Sequence, residues 1–119
     1  MEVITTMFSE LNIKGESYKL RLTTKGSVML EKSLGYNPIT MLIKIDDGIM
    51  PTLSDVLIIL HAMLQPYNHG MSLDKVYDLY DDYVAEGHNL FDLIPVFVEV
   101  FKESGYLSKA GDTEGNEKN

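Results

Sequence analysis

The segment NLFDLIPVFVEVFKESG, residues 89–105, restricts the fold more than any other part of the sequence. At 100° per residue, apolar side chains cover well over half of the circumference of this predicted fifth helix. Its charged side chains are few, namely Asp92, Glu99, Lys102 and Glu103. Such a wide apolar arc requires packing on more than one side. Two interpretations therefore stay open: a central helix enclosed by its own domain, or a helix that meets another chain with part of its surface.

Pro95 lies inside this segment. Proline lacks a backbone N–H and its ring crowds the preceding turn, so we expect it to kink the helix or to restart it. We also predict that the surplus apolar surface contacts a partner protein or a second copy of the chain. The residues predicted to make this contact are Phe91, Phe97 and Val98, together with Ile58 of an earlier helix.

Capping residues indicate where the other helices begin. Thr23 or Thr24 precedes a first helix that runs through Leu34 to Gly35, and Pro38 begins a short second helix that ends near Gly48. The third helix is TLSDVLIILHAML, residues 52–64, and the fourth follows residue 72, a serine. The apolar face of the third helix is predicted to comprise Leu53, Val56, Leu57, Ile59, Leu60, Met63 and Leu64, with Ile58 near the opposite side.

Two short strands are predicted before the first helix, over residues 8–13 and 17–22, around a turn at Lys14-Gly15. Apolar and charged residues alternate in the second strand, as in a sheet with one wet face. A lone hairpin is marginally stable in water, so its apolar side must lie on helices. The predicted fold is therefore α+β, mainly α, with an N-terminal β-hairpin packed on a bundle of four to five helices. We expect residues 1–107 to form a single globular domain and residues 108–119 a disordered acidic and polar tail.

The fourth helix raises the question of a metal site, because carboxylates and histidines are dense between residues 69 and 88. Its apolar residues are predicted to form one arc, made of Leu73, Val76, Tyr77, Tyr80, Tyr83 and Val84. Its carboxylates form the opposite arc, made of Asp74, Asp78, Asp81, Asp82 and Glu86. Neighbours four residues apart allow a weak divalent site, but calcium prefers a loop that wraps it. The segregation favours an ordinary solvated face, and we predict no bound metal and no cofactor.

The histidines do not form a recognisable metal motif. His69 and His88 lie at predicted turns, and His61 lies at the edge of the apolar face of the third helix. No HExxH pair, nucleophile elbow or glycine-rich phosphate loop is present. Because the sequence also contains no cysteine, thiolate metal sites, thiol nucleophiles and disulfides are excluded. We therefore expect a protein that is not an enzyme.

The net charge of the chain limits the classes of partner that it is expected to bind. The formal net charge is −8, which repels nucleic-acid backbones, and the basic residues between Lys14 and Lys25 are spread over two predicted elements. We therefore predict no nucleic-acid partner. No segment approaches the ~18 consecutive apolar residues of a membrane span, and the first ten residues do not resemble a signal peptide. The expected location is the cytoplasm, without a membrane contact.

The order of the segments resembles that of the tail assembly chaperones of tailed phages and prophages of Gram-positive bacteria. The resemblance covers residues 17–107 and rests on order and spacing, since none of its motifs is chemically diagnostic. Its segments are YKLRLTTKGSVMLEKSLGYNP, PTLSDVLIILHAMLQPYNHGMSLDKVYDLYDDYVAEGH and LIPVFVEVFKESGYL. Within them, the points of resemblance are Leu22-Thr23-Thr24, Leu30-Glu31, Leu34-Gly35, Asn37-Pro38, Leu60-His61, Tyr67-Asn68-His69-Gly70 and Glu86-Gly87-His88.

The resemblance implies a non-enzymatic protein that is made in the host bacterium and is absent from the mature virion. It implies that the chain binds the tape measure protein, keeps it soluble and helps to recruit tail tube subunits. Two other classes stay open. One is another phage morphogenesis module, such as a head–tail connector or neck protein, and the other is a small metal-binding protein that uses the carboxylates of residues 74–86.

Overall fold

Residues 9–107 are described by a computed structural model, and within this range the chain forms a β-hairpin followed by five helices. The predicted fold class, α+β and mainly α with the hairpin packed on a helical bundle, is confirmed. The predicted tail, residues 108–119, lies outside the described residues, as do residues 1–8. The elements are β1 (Ser9–Ile13), β2 (Glu16–Leu20), α1 (Thr24–Leu34), α2 (Ile39–Asp46), α3 (Leu53–Leu64), α4 (Leu73–Ala85) and α5 (Leu90–Ser104).

Side-chain caps fix the starts of α1, α3 and α4. The side-chain oxygens of Thr23, Thr52 and Ser72 each accept a hydrogen bond from a backbone N–H three residues ahead, at 3.0–3.1 Å. These bonds satisfy donors that have no partner inside the helix. The cap of α1 is thus Thr23 rather than Thr24. Gly35 ends α1 with a φ of 84°, a left-handed conformation that glycine adopts without strain.

The hairpin turns through Lys14 and Gly15, as predicted, and both residues have positive φ angles of 53° and 77°. Two consecutive residues with positive φ between antiparallel strands are typical of a type I′ turn, whose backbone twist matches that of the two strands. Ile13 pairs with Glu16 next to the turn, and β2 begins at Glu16 and ends at Leu20 instead of covering residues 17–22. The next backbone N–H, that of Arg21, donates to the carbonyl of Met63 at 2.9 Å, which ties the chain after β2 to α3.

The helix at the centre of the fold is α3, which packs against α1, α4, α5 and β2. Its buried residues are Val56, Leu57, Ile59, Leu60, Met63 and Leu64. The predicted apolar face is therefore right except at Leu53, which is 45% exposed and lines a cleft together with residues of α4. The wide apolar arc of α5 left two interpretations open, and in the structure α5 packs against β1 and α3.

The apolar residues of α5 are divided between a buried stripe and a half-exposed remainder. Leu93, Phe97, Val100 and Phe101 are buried at the helical spacing of one face. The rings of Phe97 and Phe101 meet edge to face with centroids 6.5 Å apart. Leu90, Ile94 and Val96 are half-buried and pack against this core, and Val98 is also half-buried. Several apolar side chains of α5 therefore remain partly in contact with water.

Of the two outcomes expected at Pro95, a kink or a restart, the restart is wrong, since the helix runs unbroken from Leu90 to Ser104. Pro95 is exposed, so its ring faces water rather than a neighbouring element. The first turn is held independently by Asn89, which accepts from the N–H of Phe91 at 2.8 Å and donates its own N–H to Asp92 at 3.1 Å. This double cap stabilises the first turn of α5, which is followed by Pro95, a residue that cannot donate a backbone hydrogen bond.

Replacing Pro95 by Ala should stabilise the protein. Alanine restores the backbone donor, and we expect the free energy of unfolding to rise by about 1–3 kcal/mol after allowing for the greater freedom of the unfolded chain. Urea denaturation followed by circular dichroism measures this change. The control is Pro51→Ala, which lies before α3 and should lower stability by no more than about 1 kcal/mol. Equal or lower stability of Pro95→Ala would contradict the expectation.

Two tyrosine hydroxyls connect distant segments. The hydroxyl of Tyr36 donates to Asp55 at 2.6 Å, which ties the segment before α2 to α3. The hydroxyl of Tyr106 donates to Glu31 at 2.7 Å, which ties the end of the described chain to α1. Burial, followed by the hydrogen bond to the carboxylate, raises the pKa of each tyrosine to about 12. Both phenols are thus more strongly protonated in the folded state than in the unfolded chain.

These raised pKa values predict a loss of stability in alkali. The contribution of each phenol is complete below its unfolded pKa of about 10 and is lost as the pH rises toward 12. The double variant Tyr36→Phe with Tyr106→Phe should be less stable at neutral pH by about 1 kcal/mol per lost hydrogen bond. Its free energy of unfolding should, however, depend less on pH between about pH 9 and about pH 12 than that of the wild type. Urea titrations over this range test it. Tyr77→Phe, at an exposed tyrosine, is the control and should keep the wild-type slope.

Candidate functional site

A groove with a volume of about 720 Å³ runs between α1 and α3. Its apolar lining comes from both helices and the loop after α3, namely Met29, Leu30, Ile58, Ala62 and Pro66. Its polar lining consists of Thr23, Lys25, Gly26, Ser33, His61, Gln65 and His69. We call this feature the α1–α3 groove. Because none of these residues is acidic, the groove differs in charge from the protein as a whole, which carries −8.

The floor and one wall of the α1–α3 groove are apolar, and their residues differ in how far they are exposed. Leu30 is 2% exposed and anchors α1 to the core. Ile58 is half-buried, so one side of it packs on the core while the other faces the groove. Met29 is 57% exposed on the α1 wall and makes little contact with its own protein. A flexible, polarisable methionine at such a position adapts to differently shaped apolar partners.

The far end of the α1–α3 groove is fixed by a hydrogen-bonded loop. The carbonyl of Met71 accepts from the Nε2 atoms of His61 and Gln65, at 2.8 and 2.9 Å. The two nitrogens lie 3.0 Å apart because they converge on the same oxygen. Asn68 donates to the carbonyl of Leu64 at 3.0 Å, which closes the end of α3. The ring of His61 therefore holds the loop that carries His69, and within residues 9–107 it is not paired with another histidine as in a metal site.

The predicted partner-binding residues are not brought together. Ile58 lies in the α1–α3 groove, whereas Phe91, Phe97 and Val98 are not among the residues that line it. Phe91 is 50% exposed and Val98 is half-buried. Phe97 is 0% exposed, so the prediction that it touches a partner is wrong for this conformation. Its helical position turns it toward β1 and α3, which the sequence pattern of α5 alone does not reveal.

The carboxylates of α4 divide into two groups. Glu86 accepts a hydrogen bond from the backbone N–H of Lys14 at 2.6 Å, and Asp82 lies 3.4 Å from the ammonium of the same lysine. These two carboxylates therefore hold the hairpin turn. Asp74, Asp78 and Asp81 are exposed, and none of them forms an ion pair with a basic side chain within residues 9–107. Neighbouring like charges of this kind destabilise a helix by about 0.2–0.5 kcal/mol per pair.

The apolar arc predicted for α4 is shifted in the structure. The buried residues are Val76, Leu79 and Tyr83, so Leu79 belongs to the core although it was left out of the predicted arc. Tyr77 and Val84 are 43% and 46% exposed, and their predicted burial is wrong. The buried face is set by where α3 and β1 lie against α4, so the arc is displaced by part of a turn toward Leu79.

A second, smaller cleft lies between α3 and α4 and encloses about 290 Å³. We call it the α3–α4 cleft. It is lined by Leu53, Ser54, Leu57, Tyr77, Tyr80 and Asp81. Leu53 and Tyr77, whose exposure was not expected, are the two large apolar residues at its mouth. Unlike the α1–α3 groove, this cleft contains a carboxylate and no basic residue.

The remaining histidine is part of the connection between α4 and α5. The ring of His88 stacks on that of Tyr83 with centroids 4.4 Å apart, and its Nδ1 lies 3.1 Å from a carboxylate oxygen of Asp92. Burial, followed by the charge of Asp92, raises the pKa of Tyr83. Within the described range, no group of three or more histidines and carboxylates is arranged to hold a metal ion. The same range contains no helix that is long and apolar enough to cross a membrane.

We expect the carboxylates of α4 to bind no metal with physiological affinity. Asp74, Asp78 and Asp81 project from one rigid helix and cannot surround an ion that requires six to eight oxygens. Calorimetric titration of the full chain with Ca²⁺, Mg²⁺ and Zn²⁺ should give no dissociation constant below ~10 μM. Tighter binding that disappears in Asp78→Asn would contradict this expectation and favour the metal-binding alternative.

Comparison with known proteins places the chain in a family without assigning it an activity. A search of curated proteins and a search of solved structures each gave no significant match. The model of one family, described as a family of unknown function, DUF6096, matches residues 7–118, which is nearly the whole chain. The chain therefore belongs to the family DUF6096.

Proposed function

We propose that the protein is a tail assembly chaperone of tailed phages or prophages of Gram-positive bacteria, which binds the tape measure protein and helps to recruit tail tube subunits. The observation that carries the proposal is the open, apolar α1–α3 groove in a small acidic protein. The proposal of a tail assembly chaperone in particular rests on the order of the sequence segments over residues 17–107, which resembles the order in that family. The protein acts by contact, without catalysis, in the cytoplasm of the host, and it leaves before the virion is mature.

The groove has the dimensions and chemistry of a site for a helix. A cavity of ~150 Å³ holds one benzene molecule, so about 720 Å³ accommodates several side chains from one face of a helix. Amphipathic helices bind in such grooves by inserting apolar residues that recur every three or four positions. Leu30, Ile58 and Ala62 offer the apolar floor, and Met29 offers an adaptable wall. A long helical client such as a tape measure protein presents many segments of this type.

The charge of the protein supports a chaperone role. A net charge of −8 keeps a small protein soluble while it covers an aggregation-prone client. The same charge disfavours nucleic acid as the occupant of the groove, even though Lys25 lies at its edge. An apolar client is bound without neutralising the acidic surface elsewhere. The acidic surface outside the groove therefore stays available to keep the bound client in solution.

The proposal is tested by co-expressing the chain with the tape measure protein of the same genome. The variant Met29→Asp places a charge in the groove at a position that is already exposed, so the fold should persist. We expect the wild type to keep the tape measure protein in the soluble fraction after centrifugation. The variant should bind the tape measure protein at least about tenfold more weakly, because it loses one apolar anchor. A tenfold loss of affinity corresponds to ~1.4 kcal/mol.

The matched control is Val28→Asp. Val28 is the preceding residue of α1, is 47% exposed and does not line the groove, so the same change of charge should leave binding unaltered. Circular dichroism is read first for both variants. A wild-type chain that neither binds nor solubilises the tape measure protein would overturn the proposed function. Equal losses in both variants would place the contact outside the α1–α3 groove.

A further inference from the structure

The α3–α4 cleft combines exposed apolar side chains with a row of exposed carboxylates on α4 that form no ion pair within residues 9–107. We propose that it binds a basic amphipathic segment of a partner protein, with an apolar side chain in the cleft and lysine or arginine residues along α4. The proposal is independent of the chaperone function, since the cleft shares no lining residue with the α1–α3 groove. It therefore concerns a second binding surface on the other side of α3.

The apolar part of the proposed surface is already open. Leu53 and Tyr77 face the cleft from α3 and α4 and are both close to half exposed, while Leu57 forms the buried floor. An inserted leucine, methionine or phenylalanine would remove several of these groups from water together. Burial of apolar surface is the main attraction in such contacts.

The charged part of the surface is a row on the same side of α4. Asp74, Asp78 and Asp81 follow one another at intervals of four and three residues, so they lie along one face of the helix over about 10.5 Å. Asp81 lines the cleft next to Tyr77. Asp82, by contrast, points toward the hairpin and pairs with Lys14. The row therefore remains available to cations at a matching spacing on another helix.

The charge of the surface identifies the occupant. A second copy of the chain also carries −8, so its approach to this row is opposed by repulsion. The parts of the chain outside residues 9–107 do not have the required composition. Residues 1–8 contain no lysine or arginine, and residues 108–119 contain no large apolar residue. A different protein with a basic amphipathic segment satisfies both halves of the surface.

The test uses the full chain, labelled with ¹⁵N, and a synthetic amphipathic peptide of about 18 residues with leucine on one face and lysine beside it. A second peptide carries glutamate in place of each lysine. We expect the lysine peptide to shift the amide resonances of the cleft, including those of Leu53, Tyr77 and Asp81. The glutamate peptide should bind at least about tenfold more weakly, because its charges repel the row.

A charge-matched pair of variants separates a specific surface from general attraction to an acidic protein. Asp78→Asn with Asp81→Asn removes two charges of the row, and Glu10→Gln with Glu16→Gln removes two exposed charges of the hairpin. We expect the first pair to weaken binding of the lysine peptide at least about fivefold and the second to change it less than about twofold. Leu53→Ser should weaken binding as well, whereas Val28→Ser, at similar exposure on α1, should not.

Several results would overturn the proposal. They are equal losses in the two charge-matched pairs, equal affinity for the two peptides, or resonance shifts confined to the α1–α3 groove. Sedimentation equilibrium of the full chain alone tests the remaining occupant. A dimer that shifts the cleft resonances without any peptide would assign the surface to a second copy. None of these outcomes depends on whether the chain binds a tape measure protein, so the two proposals fail separately.

Discussion

Burial of α3 is the constraint on which the rest of the structure depends. Six of its twelve residues are buried, and it is the element that α1, α4, α5 and β2 have in common. Full burial of one such aliphatic side chain is worth about 1.5–3 kcal/mol, so the centre of the fold is an apolar helix surrounded by amphipathic ones. The hairpin, α1, α4 and α5 each contribute one apolar face to this arrangement. Their remaining faces are then left to water or to partners.

Both candidate binding surfaces follow from this position of α3. The neighbouring helices α1, α4 and α5 are about as long as α3, yet they leave two openings along its surface. Ile58 and Ala62 reach the surface on the side of α1, and Leu53 reaches it on the side of α4. The neighbouring helices then determine the charge, with Lys25 beside one opening and Asp81 beside the other. One central helix thus leaves two apolar openings whose neighbouring charges differ.

Local features of the fold could be predicted from the sequence, whereas the exact buried faces could not. Caps such as Thr52 and Ser72 act within one helical turn, so their residue types are sufficient to identify them. Burial of Leu79 and exposure of Tyr77 depend on where α3 and β1 lie against α4, which no periodicity within α4 specifies. Phe91 and Phe97 belong to the same apolar arc, and only the packing of α5 decides that one is exposed and the other enclosed. The carboxylates that bind Lys14 were visible as a cluster, but their partner lies 72 residues away in the case of Glu86.

That contact between the hairpin turn and α4 has a consequence for how the protein forms during synthesis. The hairpin is made first, yet its turn is held by Glu86 and Asp82, and β1 packs on α5. An isolated hairpin is marginal in water, and both strands of a two-stranded sheet have an unpaired edge. At about 5–20 residues per second, the ribosome needs roughly 5–20 s to proceed from the hairpin to the end of α5. During that interval the nascent chain carries strands without their supporting helices, so rapid completion of α4 and α5 protects the N-terminal segment from pairing with other chains.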